Sequence, residues 1–194
     1  MEIGVRRLAV IPAEAGIHLA VERDTEPVWI PAFAGMTEVQ MLSEGDKVPD
    51  VKLTSVDGEA ISPADFGGQK LVLYFYPKDD TSGCTAEAQA FTALADEFKN
   101  AGTWILGVSK DDSNKHRKFS EKYGLKVALA TDSDGSVCEA FGTWIEKSMY
   151  GRKYMGIDRA TFLVDRDGVV KRVWRKVKVP GHAEEVLAAA RELP

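Results

Sequence analysis

From residue 41 onward, apolar and polar positions fall into blocks whose periods identify the elements. Residues 51–54 and 59–61 flank Val56-Asp57-Gly58, and an Asp-Gly pair between two short segments predicts a β-hairpin. Residues 70–76 (KLVLYFY) form an aliphatic and aromatic run, the pattern of a strand buried on both faces, and Pro77 stops it. Phe91, Leu94, Ala95 and Phe98 recur at helical spacing, which predicts a helix over 84–100 ending near Gly102. Residues 104–109 (WILGVS) read as a second buried strand, 113–123 as a helix closed by Gly124, 127–130 as a short strand and 134–141 as a short helix. Residues 160–164 and 169–176 predict a hairpin across Asp167-Gly168, and 180–191 a closing helix. The order βαβ, then α, then ββα describes an α/β chain with one mixed central sheet, helices on both faces and an N-terminal β-hairpin.

Residues 1–40 do not share this texture. Ile11-Pro12-Ala13-Glu14-Ala15-Gly16 recurs as Ile30-Pro31-Ala32-Phe33-Ala34-Gly35, nineteen positions later. Two copies are too few for a stacked repeat, and the proline and glycine in each break an element before it gains length. The segment resembles translated repeat DNA. It is expected to be a loosely ordered extension, with Met41 as a candidate start, and a targeting or partner-binding arm is the alternative. Residues 41–194 then form the folded domain. Arg6 and Arg7 precede an apolar stretch, but Pro12, Glu14 and His18 interrupt it, so no export signal is expected.

Composition narrows the function classes. The chain has 194 residues, 44% of them hydrophobic, with 25 Lys+Arg against 30 Asp+Glu. That suits a single core. Two cysteines supply neither a disulfide scaffold nor a cysteine zinc site, so a reducing, cytoplasmic setting is expected. A net charge of −5 gives no general attraction to phosphate backbones or anionic lipid, and no apolar run reaches the length of a membrane span. Lys171, Arg172, Arg175, Lys176 and Lys178 around Trp174 read as a solvated hairpin rather than a nucleic-acid site. His18, His116 and His182 lack metal-ligand spacing, and Asp132-Ser133-Asp134-Gly135 reads as a helix-start turn, so no metal is expected.

The chemistry concentrates in Tyr74-Phe75-Tyr76-Pro77-Lys78-Asp79-Asp80-Thr81-Ser82-Gly83-Cys84-Thr85-Ala86-Glu87. A buried strand ends, a tight loop follows, and Cys84 falls in the first turn of a helix, where unpaired N–H groups favour a thiolate. Thr81 is placed to bring its hydroxyl beside the sulfur, and Gly83 lets the backbone approach a small ligand. Ionisation alone is insufficient. A thiol of pKa ~8.5 is about 3% thiolate at neutral pH, so full ionisation gains at most roughly 30-fold. A larger gain needs donors that hold a substrate's oxygens in line with the sulfur, including a cation from elsewhere in the chain.

Pro77-x-x-x-Thr81-x-x-Cys84 resembles the active-site motif of the peroxiredoxins. YFYPKDDTSGCTAEA is similar to their bacterioferritin comigratory protein, or peroxiredoxin Q, branch. The resemblance continues through Ser133-Asp134-Gly135, Cys138-Glu139-Ala140-Phe141-Gly142 and residues 156–165. It implies a thioredoxin-like fold and a thiol peroxidase that reduces hydrogen peroxide and organic hydroperoxides without a cofactor. Cys84 is then the peroxidatic nucleophile, Thr81 and Arg159 bind and polarise the peroxide, and Pro77, Gly83 and Glu87 support the pocket. The implied reductant is thioredoxin, glutaredoxin or a small thiol, and the implied state a monomer or weak homodimer. One departure stands out: many members of this branch carry a resolving cysteine five residues after the first, and here that position is Gln89. Cys138 is the remaining candidate, either as a resolving cysteine or as an inert buried thiol. The rival readings are a redox sensor or holdase on the same scaffold, and a thioredoxin-type disulfide reductase, whose Cys-x-x-Cys would need a cysteine where Glu87 stands.

Overall fold

The structure is a computed structural model that describes residues 10–13, 16–19, 41–149 and 151–194. It divides into two units, 1–38 and 39–194. In the first, β1 (Val10–Ala13) pairs antiparallel with β2 (Gly16–Leu19), so the first copy of the duplicated hexapeptide spans this short pairing. The second copy lies outside the described residues.

The second unit opens with β3 (Leu53–Ser55), β4 (Ala60–Ile61), β5 (Lys70–Phe75), α1 (Ser82–Ala93), α2 (Ala95–Asn100), β6 (Thr103–Ser109) and α3 (Ser113–Tyr123). It continues with β7 (Ala128–Thr131), α4 (Ser136–Ala140), β8 (Trp144–Met149), β9 (Arg152–Ile157), β10 (Ala160–Val164), β11 (Val170–Arg175) and α5 (His182–Glu192). Seven strands form one mixed sheet in the order β11-β10-β5-β6-β7-β3-β4. β5 and β6 run parallel at its centre, and β10 joins β5 antiparallel.

Every residue of β5 is buried, as its unbroken apolar run requires. Alternation along the strand sorts them by face. Val72, Tyr74 and Tyr76 belong to one core with residues of α1, α2, α3 and α5, whereas Leu71, Leu73 and Phe75 belong to another with Val137, Cys138 and Phe141. Gly107 stands opposite Tyr74, where an added Cβ would lie 2.5 Å from the tyrosine ring carbon Cζ. The bare backbone thus makes room for the ring. Lys70 is buried at the start of β5 and donates at 2.8 Å to the carbonyls of Ala190 and Leu193, satisfying acceptors that the end of α5 leaves open.

Three elements differ from the sequence expectation. The helix predicted over 84–100 is two helices meeting at Leu94. Phe91 and Phe98 lie on either side of this break with their rings 5.9 Å apart. Residues 144–157, left without an element, form a separate two-stranded ribbon, β8 with β9, whose mostly exposed second strand lacks an alternating signature. Ser62 and Asp65 cap a short 3-10 turn over Pro63–Phe66 that also went unpredicted. Arg175, read as part of a solvated basic hairpin, is half-buried and donates to the carbonyls of Leu42, Phe141 and Gly142.

Candidate active site

Pro77 ends the central strand and the chain crosses to α1 in a loop. Thr81 occupies the N-cap position in extended backbone, and its carbonyl accepts the N–H of Thr85 at 2.8 Å. Its hydroxyl donates to the carbonyl of Lys78 at 3.0 Å, and no hydrogen bond joins it to Cys84 among the described residues. A threonine in a turn satisfies itself on nearby backbone, and the carbonyl three residues back is within reach.

Cys84 is the third residue of α1 and 2% exposed. The cation comes from the edge of the neighbouring strand: Arg159, just before β10, donates from Nη2 to Cys84 Sγ at 3.2 Å. Its Nη1 donates to Glu87 Oε2. Glu87 lies three residues after Cys84, hence on the same helix face, so one guanidinium spans a nucleophile and a carboxylate. Burial alone would disfavour the charge of Arg159, but Glu87 and Cys84 outweigh it and raise its pKa above the ordinary value. A Cβ on Gly83 would stand 3.4 Å from Nη2, in van der Waals contact with it, so the guanidinium lies directly over the first turn.

The arginine is fixed at its backbone as well. Its carbonyl accepts from Val177 N–H at 3.1 Å, and the preceding Asp158 N–H donates to Thr143 at 2.7 Å. Lys147 from β8 donates to the carbonyl of Ile157 at 2.5 Å and lies 3.8 Å from the Asp158 carboxylate. Lys147 did not stand out in the sequence, because its strand pairing was not apparent there, and Asp158 entered only as part of the resembling stretch 156–165.

Glu87 is 1% exposed, and burial pushes its carboxyl up to about 7 against the pull of Arg159. Burial likewise holds His182 down to about 4; its Nε2 lies 2.8 Å from the Thr161 hydroxyl. The two act oppositely on stability. Between the ordinary 4.5 of a glutamate and about 7, the native state binds the Glu87 proton more tightly than the unfolded chain, so stability falls as pH rises. Between about 4 and the ordinary 6.5 of histidine, the native state binds the His182 proton less tightly, so stability rises with pH. The wild-type melting temperature should therefore be nearly flat from pH ~5 to ~6.5, whereas Glu87→Gln should unmask a rise with pH. Thermal melts across that window check this; a variant as flat as wild type would refute it.

Cys138 sits in α4, fully buried, and burial first, then Asp132, push its thiol far above the ordinary range. Its helix is pinned at both ends. Asp132 accepts the N–H groups of Gly135, Val137 and Cys138, confirming the helix-start turn, while Arg175 takes the carbonyls of Phe141 and Gly142. Thr143 also holds the Cys138 carbonyl, through N–H at 2.8 Å and hydroxyl at 3.0 Å. Cys84 and Cys138 belong to the two different cores, with the sheet between them. Among the described residues, no three His, Cys, Asp or Glu side chains gather as a metal site.

A mixed thioredoxin-like sheet that presents a buried helix-N-terminal cysteine to an arginine defines the class of thiol peroxidases. The profile of the AhpC/TSA family matches residues 44–173. Peroxiredoxin Bcp of Bacillus subtilis is 43% identical over 149 residues, covering 77% of this chain and 95% of that protein. Peroxiredoxin Bcp of Xanthomonas campestris is 47% identical over 140 residues, covering 72% and 88%. A solved structure of the X. campestris bacterioferritin comigratory protein, described for its alkyl peroxide reduction activity, superposes with a TM-score of 0.72 at 45% identity over 77% of this chain and 96% of that one. The chain belongs to the AhpC/TSA family, in its Bcp or peroxiredoxin Q branch, and is a peroxidase of the oxidoreductase class.

Proposed function

We propose that residues 41–194 reduce hydrogen peroxide and organic hydroperoxides through Cys84, with an external thiol completing the cycle. The observation that carries this reading is the 3.2 Å contact of Arg159 Nη2 with Cys84 Sγ, braced by Glu87 on the other nitrogen. The sulfur attacks one peroxide oxygen. An S–O bond forms as the O–O bond breaks, and the departing oxygen takes up a proton and leaves as water or alcohol. Arg159 stabilises the charge that grows on the two oxygens. Thr81, exposed at the N-cap of α1, keeps its hydroxyl lone pairs available to accept from the peroxide, its own proton being spent on Lys78. Beside Pro77 a groove of about 300 Å³, walled by Trp144, Tyr154, Met155 and Ile157 together with Lys110 and Lys147, offers apolar surface for the alkyl part of an organic hydroperoxide.

The resulting sulfenic acid loses water to an incoming thiol, giving a mixed disulfide that a second thiol opens. Thioredoxin, glutaredoxin or a small thiol of the cytoplasm fits this role. The pinned helix and opposite-face position of Cys138 favour a one-cysteine cycle, since a disulfide needs Cα atoms within about 7 Å. One equivalent of peroxide without added thiol should then raise the intact mass by about one oxygen, trappable at Cys84. Rapid loss of two hydrogens, with a peptide joining Cys84 to Cys138, would overturn it.

A further inference from the structure

We propose that Asp79 and His116 are positioning residues for this chemistry, clamping the loop that delivers Thr81 and Cys84; the inference rests on Cys84 as the peroxide-reactive thiol. Pro77, Lys78, Asp80 and Thr81 are exposed, and Asp79 alone in this loop turns inward. Its Oδ1 accepts the Tyr76 hydroxyl at 2.7 Å, and its Oδ2 lies 2.7 Å from Nδ1 of the fully buried His116 in α3. Its N–H donates to Asp111 Oδ2 at 2.8 Å, an oxygen that also accepts the Ser109 hydroxyl at 3.1 Å from the end of β6. The loop is thus fastened to its own strand, to the neighbouring strand and to α3.

Such a cluster is a poor way to gain stability. Taking a carboxylate and an imidazole out of water carries a penalty that their pairing offsets only in part, and well-packed apolar side chains often do as well in such places. Its yield is one fixed loop path. Asp79 is two residues from Thr81 and five from Cys84, so slack at the clamp reaches the cap and first turn of α1. A displacement of about 1 Å costs up to 10²-fold when a reaction depends on alignment.

The test compares two reactions at Cys84. In-line attack on peroxide needs the aligned pocket, whereas alkylation by iodoacetamide needs only an accessible thiolate. His116→Leu removes the donor at similar bulk, His116→Asn returns an N–H near the place of Nδ1, and Asp79→Asn probes the same clamp should the leucine variant not fold. Stopped-flow oxidation by hydrogen peroxide should slow by about tenfold to a hundredfold relative to alkylation in His116→Leu and Asp79→Asn, and His116→Asn should recover most of the rate. Equal factors for oxidation and alkylation, or no difference between His116→Asn and His116→Leu, would overturn the positioning role. Slow oxidation of wild-type Cys84 itself would instead remove the underlying assignment, which keeps the two failures apart.

Discussion

Cys84→Ser should consume no peroxide beyond the uncatalysed rate, while Cys138→Ser should keep the first oxidation step intact. A serine hydroxyl is not ionised at neutral pH and cannot take up oxygen as a sulfenic acid, so the substitution removes the reaction and not merely its speed. Cys138 lies in the other core, its thiol held neutral by burial and by Asp132. Its replacement should cost stability and not chemistry, through packing and the burial of a hydroxyl, within the few kcal/mol typical of core changes. Stopped-flow peroxide consumption by the three proteins decides this. Fast consumption by Cys84→Ser would remove the cysteine from its role, and loss of the first step in Cys138→Ser would give the second cysteine one.

Arg159→Met should lower the rate of Cys84 oxidation by about 10² to 10³, the usual cost of losing one transition-state donor in a dry site. Methionine keeps much of the apolar stem but supplies no N–H, so both the contact to Sγ and the tie to Glu87 disappear. The fold should survive, because the Arg159 backbone is held independently through Val177 and the neighbouring Asp158 through Thr143. Near wild-type oxidation by this variant would show that the cation does not contribute. Unfolding would show that Glu87, 1% exposed, cannot remain buried without its partner.

How far the sequence reached depended on the range of the interactions involved. KLVLYFY at β5 and SNKHRKFSEKY at α3 carry their own periods and stops, and both elements appear where those periods put them. Cys84 was legible for the same reason: the strand, the Pro77 stop and the helix start are all local. Arg159 was reached only through resemblance, because 75 residues separate it from the sulfur it touches. The β8–β9 ribbon was missed because its strands are neither uniformly apolar nor regularly alternating, so neither period marked them. His116 carries no metal-ligand spacing in the sequence. A further signal was available, since it shares a helix face with Phe119 three residues on, and a polar residue on a core-facing stripe calls for a buried partner. That partner, Asp79, could not be identified before the fold brought the two together.

The missing side chain at Gly107 has a reach beyond β6. Tyr74 fills the space it leaves, stacks on Tyr76 at 5.5 Å and leans on Phe91 of α1 at 4.9 Å between ring centroids. Phe91 is two turns beyond Cys84 on the same helix. A methyl group added at 107 would therefore press on a tyrosine that packs directly against the helix carrying the sulfur. Part of the footing of the Cys84 helix thus rests on a residue with no side-chain atom and no chemistry of its own.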